Sequence, residues 1–477
     1  MFKFTLSDKH LPFRVFVLGL MLALTLPTLI QDGMFMDAML YTSVSHNLSK
    51  GIGTFWFPQF SLHNVAGLPS FHEQPPLVFW IQSLFFRLLG DSLYVERFYT
   101  FLCLILSAWL ITLIWKQVFQ KNPVLIPTAW ISLVFWIIIP VCFWSYSNNM
   151  HENSMGIFTL LSVLFALKAM HSNQNIIPLL LISGLAIFLA ALSKGLPGLF
   201  PAFLPALYKL STGRISNRKA LWSCLVLITV PVGLIGLLLC FPDSRESLSI
   251  YFFKRVLHRI NEVPTVGNRF YIIGQLFMEL IPALLLLILV LGLSREKVKS
   301  ISTEKTFRDA LFFILLGLSA SLPLMLTHVQ KGFYLVPALP YFAIGFALLC
   351  AERINSSIHK LKGRTHGLRL TLSLMLLALV LVLSYSRKGR FSRNADMLHD
   401  VYLIGMHIPE HAVISVPEEM WNEWDLQCYL MRYFFISLDP APGRPYLLVN
   451  KALHRDQAAD YETMPFKGIQ YDLYKRK

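Results

Sequence analysis

The chain has 477 residues, of which 55% are hydrophobic and only 14% are charged. One water-soluble core cannot enclose that much apolar surface, so the composition excludes an ordinary soluble domain. The formal net charge is +15, but Lys and Arg lie mostly between apolar runs rather than on one basic face, which excludes a nucleic-acid partner. The protein is therefore expected to span a membrane.

Apolar runs long enough to cross a bilayer recur along the chain and are separated by short polar segments. They predict about eleven transmembrane helices, at residues 13–30, 98–115, 124–144, 155–170, 176–192, 196–210, 220–241, 271–293, 309–327, 332–350 and 369–386. The basic N-terminus resembles a signal peptide, but no small-residue cleavage site follows Ile30, so the first helix is expected to be retained. Of the six cysteines only Cys428 lies in a polar region, which leaves no disulfide framework.

The charges of the loops predict the orientation. If the N-terminus is cytoplasmic, Lys and Arg concentrate in the inner loops, as the positive-inside rule requires. The same topology places outside the segments 31–97, 145–154, 193–195 and 242–270, the segment around 328–331 and the tail from about 387. In the first of these, 37–48 and 77–89 have helical apolar spacing interrupted by polar residues, which predicts helices lying in the membrane interface.

The tail alternates short apolar runs with one helical stretch near 420–433, a pattern typical of a small α/β domain. The sequence therefore predicts an all-α polytopic transmembrane domain over residues 1–386, followed by a small C-terminal domain over residues 387–477 on the outer side.

The first outer segment contains the first candidates for chemistry. Carboxylates beside a bilayer are costly unless they are hydrated, paired or used. Asp37 and Tyr41 lie four residues apart, on one face of a predicted helix. Further on, His72 and Glu73 precede two prolines, which fix the backbone. A helix-start acid and a Pro-kinked loop are the structural alternatives, and Asp32 at the membrane exit is the rival of Asp37.

An Asp-x-x-x-Tyr after the first span, an acidic residue before Pro-Pro-Leu and a downstream Glu-Arg together resemble the GT-C membrane glycosyltransferases. The resemblance is strongest to the family 39-like branch, which contains the protein O-mannosyltransferases and the lipid A aminoarabinose transferase, and it covers residues 13–350. It implies the GT-C fold. It also implies that Asp37 is the catalytic general base acting on the acceptor, with Tyr41 beside it in the substrate site.

In the aminoarabinose branch, the acidic residue before Lys-Pro-Pro belongs to a metal site near the donor, and Glu73 takes that place. The resemblance therefore leaves a divalent metal ion at Glu73 as an open possibility, and no cofactor is certain. Gln74 stands where the family often has Lys. This departure removes one expected phosphate contact, which His72 could supply in part.

The second outer loop places Glu152 among several Asn residues, between two apolar spans. A hydrated turn with helix-capping Asn side chains is the structural alternative. The family usually has a second acid here, commonly Asp. The resemblance thus implies a catalytic role for Glu152, although its side chain is longer than the pattern requires.

Several outer cations are candidates for binding the donor phosphate. Lys194 lies in a Lys-Gly-x-Pro sequence that resembles a family motif facing the phosphate, and a snorkelling Lys is the alternative. Lys331 and Tyr334 resemble the late motif Lys-x-x-Tyr-x-x-Pro. The loop 242–270 adds an excess of cations, including Arg255 and Arg259. These Arg side chains suit either a polyprenyl phosphate or anionic lipid headgroups.

Transfer of a sugar from a polyprenyl phosphate requires deprotonation of an acceptor hydroxyl and neutralisation of the leaving phosphate. An outer carboxylate and outer cations supply both, and a single displacement would invert the anomeric carbon. We therefore expect a hexosyl- or pentosyltransferase that moves a sugar from undecaprenyl phosphate to lipid A, another glycolipid or a protein hydroxyl. The expected location is the periplasmic face of a bacterial inner membrane.

Two other functions remain as alternatives. A polytopic transporter would place ionisable groups or broken helices at mid-membrane and show paired halves, whereas here only Glu279 lies inside a predicted span. An O-antigen ligase or polymerase shares the lipid-linked donor but favours a large periplasmic loop late in the chain.

Overall fold

The computed structural model describes residues 8–62, 69–257, 265–293, 300–361, 365–453 and 460–477. Arg259, a predicted phosphate contact, lies outside these residues. The described chain is mostly helical. Its α-helices are α1 Leu11–Leu29, α2 Met36–Ser49, α3 Leu77–Leu89, α4 Tyr94–Val118, α5 Trp130–Ile137, α6 Pro140–Tyr146, α7 His151–His171, α8 Ile177–Lys194, α9 Leu204–Thr212, α10 Asn217–Leu238, α11 Pro242–Ser249, α12 Tyr271–Leu293, α13 Ser300–Ser321, α14 Leu339–Lys360, α15 His366–Tyr385, α16 Ala395–His407 and α17 Trp424–Phe434.

Within the described residues, nine helices are long and apolar enough to cross a membrane, and a bent pair makes ten if it is one span. The prediction of a polytopic helical membrane protein is therefore confirmed. The predicted span 196–210 differs, because it consists of the 3-10 helix Leu196–Phe203 followed by the nine residues of α9. Pro201 and Pro205 lack the backbone N–H that a continuous α-helix needs there.

The bent pair joins Pro123–Ile137 to α6 at an angle of 92°. Pro140 begins α6 after the extended residue Ile139, as suits a residue that cannot donate a backbone hydrogen bond. The backbone N–H of Val141 donates to the Glu279 carboxylate at 2.7 Å, which places a negative charge at the N-terminus of α6. Glu279, the acid within a predicted span, thus stabilises a helix end.

The chain divides into two compact units. The first unit comprises Met1–Pro27, Thr100–Ser147 and His151–Ser386, and the second comprises Thr28–Tyr99, Asn148–Met150 and Arg387–Lys477. The second unit thus combines the first outer segment with the tail. The domain boundary between residues 386 and 387 stays a prediction.

The second unit contains a five-stranded mixed sheet in the order β2-β1-β3-β5-β4. Its strands are β1 Val413–Ser415, β2 Ser437–Asp439, β3 Tyr446–Asn450, β4 Tyr461–Thr463 and β5 Tyr471–Arg476. β1 pairs in parallel with β2 and β3, while β5 pairs antiparallel with β3 and β4. Leu447, Val449, Tyr461 and Tyr474 form a buried apolar cluster on this sheet. The predicted small α/β fold of the tail is confirmed.

Helix α2 is buried at every position from Ala38 to Leu48, although its sequence is rich in hydroxyl groups. Thr42, Ser43 and Ser45 each donate a side-chain hydrogen bond to the carbonyl four residues earlier, at 2.6, 2.8 and 2.9 Å. These bonds satisfy the hydroxyls without a solvent partner. Helix α3 is amphipathic instead, with Val78, Phe79 and Phe86 buried on one face.

Candidate active site

Asp37 lies half-buried in the first turn of α2. The residue before this helix is fixed on both sides, because the Phe35 N–H donates to the Asn148 side chain at 2.8 Å and its carbonyl accepts from the Met39 N–H at 3.0 Å. The N-terminus of a helix favours a negative charge. The backbone therefore holds the Asp37 carboxylate at the start of a rigid, buried helix.

A buried amide network ties α2 to α3. The Asn149 amide donates to the Thr42 hydroxyl at 2.8 Å and to the Gln82 carbonyl at 2.9 Å, and the Gln82 amide donates back to Asn149 at 3.0 Å. Asn149 is fully buried. The Asn residues of the second outer loop therefore do not form the hydrated turn of the structural alternative. They position the start of α2 and the face of α3.

Asp32, the rival of Asp37, accepts hydrogen bonds on both carboxylate oxygens. The Tyr402 and Tyr433 hydroxyls donate to it at 2.6 and 2.5 Å, and its own neighbour Gly33 donates a backbone N–H at 2.6 Å. The Arg97 guanidinium lies 3.2 Å away, in an ion pair with both side chains buried. An acid held by so many donors is suited to structure rather than to proton transfer.

Glu96 extends the Asp32 cluster by two further buried ion pairs. Glu96 lies 3.2 Å from Arg97 and 2.8 Å from Arg432 of α17. Burial raises the pKa of the Tyr402 and Tyr433 hydroxyls, and the Asp32 carboxylate raises both further, so both phenols remain donors. Tyr402, Arg432 and Tyr433 carry no motif in the sequence, and only the folded tail places them beside the first outer segment.

The remaining candidates of the first segment are Tyr41, His72 and Glu73. Tyr41 is buried and accepts a hydrogen bond from the Gln74 amide at 3.2 Å. His72 is buried and shares a hydrogen bond of 2.6 Å with the Ser70 hydroxyl, while Glu73 is half-buried. Gln74, which departs from the family pattern, thus contacts the candidate substrate residue Tyr41.

A bound metal ion needs several His, Cys, Asp or Glu side chains held close together. Over the described ranges of the chain, no group of three or more His, Cys, Asp or Glu side chains could hold a metal ion. The role of Glu73 as a metal ligand therefore gains no support from its surroundings.

The first unit brings three predicted residues together. The Lys194 ammonium lies 3.1 Å from the Glu152 carboxylate, and both side chains are less than a tenth exposed. The same ammonium lies 5.9 Å from the centre of the Tyr334 ring, within the range of a cation–π contact. Glu152 lies in the first turn of α7 and Lys194 ends α8, so each charge also suits its helix terminus.

The backbone after Lys194 is shaped by two glycines. Gly195 has a φ of +84°, and a Cβ there would meet the Tyr251 hydroxyl at 2.0 Å. A Cβ on Gly198 would meet the Ala190 backbone at 2.6 Å. Side chains are excluded at both positions, which fixes the end of α8 against its neighbours. A steric constraint therefore explains why glycine follows Lys194 in the Lys-Gly-x-Pro sequence.

Lys331 is exposed, directly before the 3-10 helix Gly332–Ala338. Its neighbour Gln330 is buried, donates to the Arg269 and Thr327 carbonyls at 2.9 and 2.8 Å, and accepts from the Ile272 N–H at 2.8 Å. Gln330 thereby anchors the segment that presents Lys331. Arg255 is half-buried in the π-helix Ile250–Leu257.

Comparison with known proteins gives matches to a family profile and to solved structures. The profile described as dolichyl-phosphate-mannose-protein mannosyltransferase matches residues 73–242, a stretch that includes Glu152 and Lys194 but not Asp37. Among curated proteins, none matches the sequence.

Two solved structures of ArnT from Cupriavidus metallidurans, one bound to undecaprenyl phosphate and one in the apo state, resemble the chain with a TM-score of 0.65 and 13% identity. The match covers 96% of this chain and 97% and 96% of those chains. An oligosaccharyltransferase from Archaeoglobus fulgidus, in complex with zinc and sulfate, matches with a TM-score of 0.50 and 12% identity, over 97% of this chain and 73% of that one. These likenesses show a shared fold over nearly the whole chain.

Proposed function

We propose that this chain, a glycosyltransferase of the GT-C superfamily with the fold of that superfamily, transfers a sugar from a polyprenyl phosphate to an acceptor hydroxyl. One observation carries the proposal: the fold matches, over almost its full length, that of a protein solved with undecaprenyl phosphate bound. The family profile, named for a transferase that uses a dolichyl-phosphate sugar, supports the same donor class.

The proposed reaction is a single displacement at the anomeric carbon. Asp37 takes the proton of the acceptor hydroxyl, the acceptor oxygen bonds to the anomeric carbon, and the bond from that carbon to the phosphate oxygen breaks. The polyprenyl phosphate leaves with the bonding electrons, and the sugar is inverted. Asp37 suits the base because it starts a fixed helix, whereas Asp32 is held by two tyrosines and an arginine.

We assign neutralisation of the leaving phosphate to cations of the first unit. Lys331 is exposed and presented by the anchored Gln330. Arg255 adds a guanidinium, which suits bidentate binding of phosphate oxygens. Lys194 is balanced by Glu152 at 3.1 Å, but an ammonium has three donors and can share one with a phosphate oxygen. Glu152 then positions Lys194, and Tyr334 completes the site.

The finer assignments of acceptor and location belong to the same proposal. The acceptor is lipid A, another glycolipid or a protein hydroxyl, and the reaction takes place on the periplasmic face of a bacterial inner membrane, as the loop charges predict. A transporter would use ionisable groups at mid-membrane. Glu279, the ionisable group in a predicted span, instead has a structural role, because it accepts hydrogen bonds from Val141 and Gln275. The ligase or polymerase alternative gains no specific observation.

The test is a donor panel. Purified protein in nanodiscs would be incubated with undecaprenyl phosphates that carry different hexoses and pentoses, plus a crude envelope extract as acceptor. Release of undecaprenyl phosphate would be scored by mass spectrometry, with the Asp37→Asn variant as the blank. We expect at least one donor to release undecaprenyl phosphate. That release should require both the acceptor extract and Asp37. Release from none, or equal release by the variant, would overturn the proposal.

The orientation can be tested separately. Cysteines introduced at Lys331 and Lys121, both exposed positions, would be labelled from outside intact cells with a membrane-impermeant maleimide. We expect labelling at position 331 and protection at position 121. The reverse pattern would place the predicted site on the cytoplasmic side.

A further inference from the structure

A cavity of about 560 Å³ lies in the second unit, and its lining includes none of the residues proposed to bind phosphate. Its walls come from the start of α2 at Met36, the start of α17 at Trp424 and Asp425, and the strand ends at Asn450 and Gln470. A cavity of this volume has room for one or two sugar rings but not for a polyprenyl chain. None of the sequence motifs named above accounts for it.

The side chains that line the cavity are suited to hydroxyl groups. Asn422 and Gln470 each offer an amide donor and an amide acceptor, and Asp425 offers carboxylate acceptors. The Asn450 amide and the Glu423 carboxylate also line the cavity and are hydrogen-bonded to each other at 3.4 Å. Adjacent hydroxyls of a sugar match such paired donors and acceptors. The indole of Trp424 adds a flat apolar surface against which the C–H face of a sugar ring can lie.

The charges of the lining disfavour an anionic ligand. Among the described residues of the wall, the cation is Lys451, and its ammonium donates to the Gly468 carbonyl and lies 3.9 Å from Asp472. The carboxylates of Glu423 and Asp425 repel phosphate groups at short range. The cavity therefore fits a neutral sugar or an amino sugar and does not fit a phosphorylated one.

The walls are held in place before any ligand arrives. The Tyr471 hydroxyl donates to Glu423 at 2.6 Å, and the buried Asp400 carboxylate accepts backbone N–H groups from Ile469, Gln470 and Tyr471 at 2.6, 2.7 and 3.0 Å. Burial raises the pKa of the Tyr471 phenol, as do its bond to Glu423 and the charge of that carboxylate, so this group stays a donor. A fixed lining lowers the entropy cost of binding.

One acceptor atom of the lining is unused. Burial raises the pKa of the Asp425 carboxyl, and the charge of Arg393 and a weak hydrogen bond from Asn394 lower it, but none of the described residues makes a hydrogen bond of standard geometry to its buried Oδ1. A buried carboxylate oxygen without a donor costs free energy, and a hydroxyl of a bound ligand would relieve that cost. This atom is therefore a specific expected contact for a sugar hydroxyl.

The cavity lies beside the proposed general base. Met36, which lines it, directly precedes Asp37 in α2. The Ser43 hydroxyl of α2 donates to the Cys428 carbonyl of α17 at 3.2 Å, so the helices that carry Asp37 and Asp425 pack against each other. A ring bound in the cavity would therefore lie against the start of the helix that carries Asp37.

We propose that this cavity binds a non-phosphorylated sugar ring of the acceptor, so that the acceptor is a carbohydrate hydroxyl rather than a serine or threonine. The identification of the ligand as the acceptor rests on the proposed function, whereas the binding of a sugar in the cavity does not. The sugar of the donor is the other source of the same chemistry, and the kinetic experiment below distinguishes the two.

The first experiment measures binding without turnover. The full-length protein in nanodiscs would be applied to an array of neutral, amino-substituted and phosphorylated oligosaccharides. We expect binding to neutral or amino sugars, with affinity at least about tenfold weaker in Trp424→Ala and in Asn422→Ala. The control is Gln174→Ala, an exposed amide in the first unit, which should bind like the native protein.

Asn422 is exposed, so its substitution should leave folding intact. If Trp424→Ala is unstable, the Asn422→Ala variant therefore decides whether the cavity binds the sugar. Binding only to phosphorylated glycans, no binding, or native affinity in the Asn422→Ala variant would each overturn the inference. Failure of the donor panel with intact glycan binding would overturn the proposed function alone.

The second experiment separates acceptor from donor. Once a donor is known, Asn422→Ala should raise the acceptor KM about tenfold and leave the donor KM within about twofold. A rise in the donor KM alone would mean that the cavity holds the sugar of the donor, which would overturn the acceptor assignment.

Discussion

The ammonium of Lys194 and the carboxylate of Glu152 lie 3.1 Å apart, with 7% and 1% of their side chains exposed. Their residues end one helix of the first unit and begin another. Each charge compensates the other in a site that excludes water. The pair is therefore both a stability element and a candidate part of the phosphate site, and the two roles have different experimental signatures.

Lys194→Met should lower the free energy of unfolding by about 3 kcal/mol, because it leaves Glu152 buried without its cation. The double variant Lys194→Met with Glu152→Gln should recover most of that loss. Chemical denaturation in one detergent would measure both. The matched control is Arg308→Met, which breaks an ion pair with Glu304 whose side chains are 49% and 68% exposed and should cost less than about 1 kcal/mol.

Asp37→Asn should lower turnover about a hundredfold or more, because it removes the proton acceptor and keeps the shape of the side chain. Thermal unfolding should change little. The matched control is Asp396→Asn, which removes an exposed acid from the first turn of α16 in the same unit and should retain full activity. Equal activity in the two variants would contradict the assignment of Asp37.

Asp32→Asn tests the rival acid. An amide cannot accept on both atoms, so it would lose a bond from Tyr402 or Tyr433 and leave Arg97 without its charge partner. We expect a marked fall in the melting temperature and a secondary loss of activity. A stable but inactive variant would instead point to Asp32 as the base.

The membrane helices were predictable because a span needs about twenty apolar residues, and such runs are local in sequence. The α/β tail was predictable for a similar reason, since short apolar runs such as Tyr446–Asn450 alternate with one helical stretch. The order of the motifs likewise predicted the GT-C fold, and solved structures of similar fold match nearly the whole chain. These predictions depend on neighbouring residues, which the sequence shows directly.

Contacts between distant residues were not predictable. The sequence placed Lys194 and Glu152 on the same side of the membrane but did not show that they pair with each other. Likewise, Tyr402 and Tyr433 lie about 400 residues from Asp32 and belong to no motif. The span predicted over 196–210 failed because hydropathy does not record the backbone N–H groups that Pro201 and Pro205 lack.

Lys331→Ala should raise the donor KM about tenfold and leave kcat within about twofold, because it removes an exposed cation from the proposed phosphate site. Steady-state kinetics at fixed acceptor would measure both constants. Lys121→Ala removes an exposed cation from a predicted inner loop and should change neither. If the two variants behave alike, Lys331 does not bind the phosphate.

His46 should make stability depend on pH. Burial lowers the pKa of this ring from 6.5 to about 4, as does Arg432, although Asp91 opposes the shift with a hydrogen bond of 3.0 Å. The unfolded state therefore binds more protons than the folded state between those two values. Stability is fully present above about pH 6.5 and falls as the pH drops towards 4, by about 3 kcal/mol.

His46→Gln should remove most of that dependence, because glutamine does not titrate and can still donate to Asp91. Thermal melting at several pH values between 4 and 7 would measure it. His399→Gln, with a side chain 46% exposed in the native protein, is the matched control and should keep the native profile. A native profile in His46→Gln would show that other groups control the pH response.

The backbone link at Asp32 has a consequence for the order of synthesis. The Asp32 N–H donates to the Arg390 carbonyl at 2.9 Å, and the Ser392 N–H donates to the Asp32 carbonyl at 2.7 Å. Asp32 leaves the ribosome early, whereas its partners follow the last membrane helix. The segment that carries Asp37 must therefore wait for nearly the whole chain before it reaches its final conformation. A ribosome that stalls before residue 390 would have made every helix that is long and apolar enough to span a membrane among the described residues, but the segment that carries Asp37 would remain unfinished.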